Sequence, residues 1–224
     1  MDGTKIESKA NRYTFVWLKQ VSKQLEKIKA RLRELVCPQG NLTSTKVEKR
    51  LEQLNTEIEA QGIEVKKGRG HHKPEIVRER DELALLYRRW MEYNRKKAIC
   101  GENRNSYSKT DTDATFMHMK DDHMRNGQLK PGYNVQFAVN SGFITGIGVF
   151  SNRTDFGTLI PFLTYLWHKH GKSYRNVVAD SGYESLANYR WLFENGQTAF
   201  IKPANYESGK KRSSKSQVGR MENM

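Results

Sequence analysis

Apolar residues in the first hundred positions recur at the spacing of a helix. Two stripes step by three and four residues: Val21, Leu25, Ile28, Leu32 and Leu35, then Val47, Leu51, Leu54 and Ile58. Breaks at Pro38 and Gly40, and between residues 62 and 74, separate these two helices from a third. The pattern predicts a helical hairpin or small bundle over residues 14–98. We interpret the stripes as internal packing, and a coiled coil with a partner is the alternative.

The hydrophobic pattern changes after residue 105 and becomes that of strands and helices in turn. Residues 133–139 alternate, Ser141 and Gly142 form a turn signal, and residues 143–150 predict the second strand of a hairpin. Four elements follow in order: a helix over 159–167, a strand over 176–179, a helix over 186–193 and a strand over 198–201. This order predicts one mixed α/β sheet with covering helices, in which the later strands are parallel. The polar tail from Tyr206 is expected to be a loop or a frayed end.

A formal charge of +14 favours a polyanionic partner, because it exceeds what solubility requires. Nucleic acid and an acidic membrane surface are the candidates, but no apolar span, basic amphipathic membrane helix or lipidation signal supports the membrane. Cys37 and Cys100 lie far apart and form neither a disulfide framework nor a zinc motif. Since the sequence also shows no signal peptide, we expect a cytoplasmic protein.

Positive charge is densest in two short runs of the helical region. The candidate phosphate contacts in these runs are Lys66, Lys67, Arg69, Lys73, Arg95, Lys96 and Lys97. A solvated helix face is the alternative interpretation of each run.

Three groups of acidic residues are candidates for chemistry. Asp180 follows a short apolar strand and precedes a glycine turn, a place where functional groups of α/β sheets cluster, although it also suits a loop or cap. Asp2 precedes Gly3, which by itself indicates only a turn or a solvated terminus. Asp111 and Asp113 stand one residue apart. We favour local turn and cap hydrogen bonds for this pair, and a shared metal ion is the alternative.

Four ordered stretches together resemble insertion-sequence transposases of the DDE superfamily. They are Asp2 to Trp17, Ser108 to Met117, Leu129 to Gln136 and Val178 to Tyr183. The resemblance is to the sub-group that carries a helical insertion after the first strand. It implies a ribonuclease H-like core, a five-stranded mixed sheet with helices on both faces. The implied domains are a first strand (1–13), the helical insertion (14–104), the rest of the catalytic core (105–205) and a basic tail (206–224).

The same resemblance implies a metal-dependent enzyme that cuts and joins DNA. Asp2 matches the first catalytic aspartate and Asp180 the second, and both would hold Mg²⁺ or Mn²⁺. Transposon ends and target DNA are the implied partners, and a homodimer of the complete enzyme is left open. The family's third acid, a Glu in a Tyr-x2-Arg-x3-Glu pattern, has no counterpart before Met224. We therefore expect a chain cut short at both ends and inactive by itself.

Two other functions remain as alternatives to a transposase core. A non-enzymatic basic module, such as a transposon remnant, would bind nucleic acid or a protein partner without catalysis. A ribonuclease H-like nuclease that acts alone is the weaker alternative, because it too would need more than two acidic ligands.

Overall fold

The chain divides into two compact units in a computed structural model that describes residues 1–63, 73–120, 127–203 and 205. The sheet unit comprises Met1–Phe15 and Tyr107–Met224, and the helical unit comprises Val16–Ser106. No helix in the described ranges is both long enough and apolar enough to cross a membrane.

The helical unit has its helices at the three stretches that the periodicity predicts. They are α1 (Leu18–Val36), α2 (Ser44–Ala60) and α3 (Glu75–Cys100). Most of the two apolar stripes is buried: Val21, Leu25, Ile28, Leu32, Val47, Leu54 and Ile58. Ion pairs join the helices, with Arg31 at 2.7 Å from Glu82 and Arg50 at 2.8 Å from Glu79. The prediction of internal packing is therefore confirmed.

The described part of the sheet unit contains a set of strands and two α-helices. The strands are β1 (Asp2–Glu7), β4 (Thr115–Met117), β5 (Lys130–Asn140), β6 (Phe143–Phe150), β7 (Asn176–Ala179) and β8 (Thr198–Ile201). The helices are α4 (Leu159–His170) and α5 (Leu186–Glu194), and short 3-10 turns span Asp155–Gly157 and Ser181–Tyr183. A separate ribbon pairs β2 (Phe15–Trp17) with β3 (Ser106–Ser108).

Strand β5 is the centre of the larger sheet, because β1, β4 and β6 all pair with it in antiparallel fashion. The β5–β6 hairpin closes through Ser141 and Gly142, whose φ angles of 52° and 83° are both positive. A two-residue turn with positive φ at both positions matches the twist of the strands that it joins. The predicted turn and hairpin are thus confirmed.

The expectation of one continuous mixed sheet is wrong in one respect. Strands β7 and β8 are parallel, as predicted, but they form their own two-stranded sheet. The Met1 amino group, next to β1, donates a hydrogen bond of 2.8 Å to the Val178 carbonyl oxygen of β7.

An apolar core nevertheless joins both sheets to α4 and α5. It contains Ala138, Leu159, Phe162, Leu163, Leu166, Val177, Ala179, Tyr183, Leu192 and Ile201. Gly146 and Gly148 of β6 let α4 lie directly on the strand, because a Cβ atom at Gly148 would stand 2.8 Å from a ring carbon of Phe162. A side chain at Gly146 would likewise collide with Leu166. The two glycines thus make room for the helix.

The opposite side of the same strands is exposed and apolar. Its exposed side chains are Val139, Ile147, Val149, Val178 and Phe200. The resemblance implies helices on both faces, whereas the described helices of this unit pack on one face only. The mixed α/β class is confirmed in this form, with strands of both orientations and covering helices.

We predict that Leu32→Ala destabilises the helical unit by about 2–5 kcal/mol, because Leu32 is fully buried and its truncation leaves a cavity. Leu85→Ala is the matched control, since 38% of Leu85 is exposed in the same unit. Urea unfolding followed by far-UV circular dichroism measures both. Equal losses for the two variants would contradict the assigned core.

Candidate functional site

Asp2 lies on β1 with its carboxylate held by the next residue. The Gly3 amide donates a hydrogen bond of 2.8 Å to Oδ1 of Asp2. Successive residues of a strand point to opposite faces, and here Gly3 is buried while Asp2 is exposed. The carboxylate is therefore accessible, and its neighbour packs inward.

Asp180 directly follows β7 and caps the 3-10 turn at Ser181–Tyr183. Its Oδ1 atom accepts a hydrogen bond of 2.9 Å from the Gly182 amide. The capping role that the sequence left open is therefore observed, and the aspartate is exposed at the end of its strand. Asp2 and Asp180 thus share one local arrangement, in which a carboxylate is bound by the amide of a nearby glycine.

The two aspartates act electrostatically on the same two groups. Burial raises the pKa of the Tyr183 hydroxyl well above its ordinary value, and the charges of Asp155, Asp180 and Asp2 add to the shift. Desolvation lowers the pKa of the Met1 amino group, although Asp2 and Asp180 act in the opposite direction. The structure therefore brings the first and second predicted acids to one region, together with a third aspartate.

That third acid, Asp155, was not predicted from the sequence. It begins the 3-10 turn between β6 and α4, and its Oδ1 atom accepts two side-chain hydrogen bonds. Asn134 Nδ2 donates at 2.7 Å and Gln136 Nε2 at 3.1 Å. Gln136 also donates to Asn134 at 2.7 Å, and its Oε1 atom accepts from the Tyr183 hydroxyl. We call Asp155, Asn134, Gln136 and Tyr183 the amide network.

A signal for this network was present on β5. Asn134 and Gln136 occupy alternate positions of a strand that is otherwise largely apolar, and both are fully buried. Buried amides must find hydrogen-bond partners, so two inward-facing amides indicate a polar cluster beneath the sheet. The pattern alone does not identify Asp155, which lies 21 residues further along the chain from Asn134.

Two glycines pack directly against the amide network. A Cβ atom built on Gly3 would lie 2.5 Å from Gln136 Nε2, 3.0 Å from the Tyr183 oxygen and 3.1 Å from Asp155 Oδ1. A Cβ atom built on Gly182 would lie 3.1 Å from both Asp155 Oδ2 and Asp180 Oδ1. Those two oxygens are therefore at most about 6.2 Å apart, twice 3.1 Å. The carboxylates and the network belong to one compact site.

The chemistry of the donors fits a hard divalent cation. Carboxylate oxygens are its preferred ligands, and Mg²⁺ is usually bound by one or two carboxylates, with water and phosphate oxygens completing the shell. In the described part of the chain, no three His, Cys, Asp or Glu residues are grouped closely enough to hold a metal ion. Two carboxylates supply only part of the shell of such a cation, and water and phosphate oxygens supply the rest.

Asp111 belongs to a different cluster, near the other end of β1. It accepts hydrogen bonds from Ser8 Oγ at 2.5 Å and from the Tyr133 hydroxyl at 2.6 Å, and the Asp113 amide donates to it at 3.3 Å. Desolvation acts to raise the pKa of Asp111, but these hydrogen bonds hold it below its ordinary value. The predicted hydrogen-bonding role is observed, although two of the partners are distant in sequence.

The seven basic residues predicted to contact phosphates differ in their surroundings. Lys66, Lys67 and Arg69 lie outside the described residues. Lys73 forms an ion pair of 2.7 Å with Asp81. Lys96 pairs with Glu92 and lies 4.6 Å from the centre of the Tyr93 ring, whereas Arg95 and Lys97 are exposed near the end of α3.

Comparison with known protein families identifies the family of this chain. The sequence matches the family described as Transposase DDE domain over residues 104–223, which is 120 of its 224 residues. The chain belongs to the DDE-domain transposases. Comparison with curated proteins and with solved structures gave no match. The range that matches the transposase domain contains Asp155 and Asp180, while Asp2 precedes it.

We predict that Gly3→Ala destabilises the sheet unit by about 1–3 kcal/mol, because the new methyl group would overlap Gln136 Nε2 and force the network to move. Gly40→Ala is the control, since the nearest described atom would be Lys46 Nζ, 3.4 Å from its Cβ atom. Denaturant unfolding compares the two variants with the parent chain. Tolerance of both substitutions alike would contradict the close packing of Gly3.

Proposed function

We propose that this chain supplies two metal-binding carboxylates, Asp2 and Asp180, to a DDE transposase. In the complete enzyme they would serve metal-dependent phosphodiester cleavage and strand transfer at transposon ends. The observation that carries the proposal is that Gly3 and Gly182, whose amides bind Asp2 and Asp180, both lie against the Asp155 carboxylate. The two aspartates are 178 positions apart in the sequence. The transposase DDE match over residues 104–223 supports the same function.

The residues of the chain would hold the reacting groups in place. Bound Mg²⁺ or Mn²⁺ would supply activation of the attacking water or 3′-hydroxyl and stabilisation of the leaving oxygen. The Gly3 and Gly182 amides each occupy one oxygen of Asp2 and Asp180, and so orient these carboxylates. Tyr183 would remain protonated because its pKa is raised, so it would act as a hydrogen-bond donor rather than as a base.

We also propose that these 224 residues do not catalyse DNA cleavage or strand transfer by themselves. The resemblance implies a third acid in a Tyr-x2-Arg-x3-Glu pattern, and this pattern does not occur after Asp180 in these 224 residues. Two carboxylates leave most of the coordination shell to water, which favours weak binding. We therefore propose weak Mg²⁺ or Mn²⁺ binding without cleavage or strand transfer.

DNA is the proposed macromolecular partner, held mainly through its phosphates. The charge of +14 supports this partner, and the exposed Arg95 and Lys97 supply part of the positive surface. A basic remnant that binds nucleic acid or protein without any metal is the second candidate, because the same charge would serve it equally well. Metal binding by Asp2 and Asp180 separates the two proposals.

We predict that Asp2→Asn and Asp180→Asn each lower the affinity for Mn²⁺ by at least about tenfold, because each removes one charged ligand. Asp113→Asn is the control, since Asp113 is also exposed in the same unit but lies in the Asp111 cluster. Electron paramagnetic resonance of free Mn²⁺ during a titration measures the affinity. Undiminished binding by Asp180→Asn would overturn the assigned ligands, whereas a parent chain that binds no Mn²⁺ would favour the metal-free remnant.

We also predict salt-sensitive DNA binding with little sequence preference. Arg95→Ala and Lys97→Ala should each reduce the slope of log affinity against log salt by about 1, as expected for the loss of one phosphate contact. Lys96→Ala should have a smaller effect, because its ammonium group is already paired with Glu92. Fluorescence anisotropy with a labelled duplex at several salt concentrations tests this. Affinity that stays flat between low and moderate salt would favour a protein partner.

A further inference from the structure

Asp155 lies against Gly3 and Gly182, the two glycines whose amides bind the candidate metal ligands. It is neither of the two acids that the resemblance identifies. Asp2 is bound by the Gly3 amide and Asp180 by the Gly182 amide. Cβ positions built on these same two glycines lie 3.1 Å from Asp155, one from Oδ1 and the other from Oδ2. One carboxylate therefore stands against both glycines that hold the metal-binding aspartates.

We propose that Asp155 is a positioning residue that fixes Asp2 and Asp180 relative to one another through the amide network and the two glycines. This inference rests on the proposed function of Asp2 and Asp180. It assigns Asp155 no direct contact with metal or DNA, because its Oδ1 atom already accepts hydrogen bonds from Asn134 and Gln136.

The direction of the hydrogen bonds explains why a carboxylate suits position 155. A carboxylate only accepts hydrogen bonds, so both Asn134 and Gln136 must turn their NH₂ groups toward Asp155. Gln136 is then left with its oxygen facing Tyr183, which must donate its hydroxyl hydrogen. Hydrogen bonds to a charged acceptor are also stronger than those to a neutral one. One charge thus sets the orientation of two buried amides and one phenol.

The burial of the network makes this orientation rigid. Asn134, Gln136 and Tyr183 are all fully buried, so water cannot readily replace a lost partner. Tyr183 follows Gly182 directly, and Gln136 is paired with Gly3 in the register of β5 and β1. A change in the network is therefore transmitted to both glycine amides, and through them to Asp180 and Asp2.

Asp155→Asn tests this role with little change in side-chain shape. In the metal-free chain labelled with [¹⁵N]glycine, we expect the Gly3 and Gly182 amide resonances to shift. With Mn²⁺ we expect roughly tenfold weaker binding, the usual lower range for loss of a supporting partner of a ligand. Asp111→Asn is the matched control, because Asp111 also accepts two side-chain hydrogen bonds in the same unit. It should leave both glycine resonances and the Mn²⁺ affinity unchanged.

A second variant separates positioning from a general loss of stability. Tyr183→Phe removes only the hydroxyl that donates to Gln136. A double variant carries both Tyr183→Phe and Asp155→Asn. If the network acts as one unit, the fold-loss of Mn²⁺ affinity in this double variant should be smaller than the product of the fold-losses in the two single variants. Strictly multiplicative losses would contradict a shared pathway through Gln136.

The outcomes distinguish this inference from the proposed function. Normal Mn²⁺ affinity and unchanged glycine resonances in Asp155→Asn, with binding lost in Asp180→Asn, would overturn the positioning role and leave the metal ligands in place. If the parent chain binds no Mn²⁺, the proposed function fails for this chain. The glycine resonances then decide the inference: shifts in both support it, and unchanged positions overturn it.

Discussion

The buried amides of Asn134 and Gln136 impose the main constraint on the sheet unit. Two carboxamides without access to water must be matched by polar partners, and those partners come from the turn before α4 and the turn after β7. Asp155 and Tyr183 are thereby drawn to the same side of β5. The hydrogen bonds join parts of the chain that backbone pairing leaves in separate sheets.

Glycines provide the space that this packing requires, because they have no side chain and so allow backbones and helices to approach closely. Gly3 and Gly182 leave space for the Asp155 carboxylate, while Gly146 and Gly148 let α4 rest on β6. One face of the strands is thus closed by polar contacts around Asp155 and by apolar contacts farther along the sheet. The other face keeps Val178 and its apolar neighbours exposed.

The two candidate metal ligands, Asp2 and Asp180, lie next to both the buried amide network and the glycines that pack on it. Asp2 and Asp180 are exposed, but the groups that hold them are glycine amides packed on a buried network. Such support allows carboxylates to keep one arrangement while their outer oxygens remain available to a cation. The proposed metal-dependent phosphoryl transfer would need this combination, because it relies on a metal held in a defined position.

The sequence by itself determined the local elements and the family. Periodicity predicted α1 to α3, and β6, β7 and β8 begin and end at the predicted residues, because spacing and turn residues such as Ser141 and Gly142 act over a few positions. The division into two sheets and the contacts of Asp155 were decided by tertiary structure. Tyr183 and Gln136 are 47 residues apart, and contacts at that separation leave no periodic trace in the chain. Only folding brings their partners together.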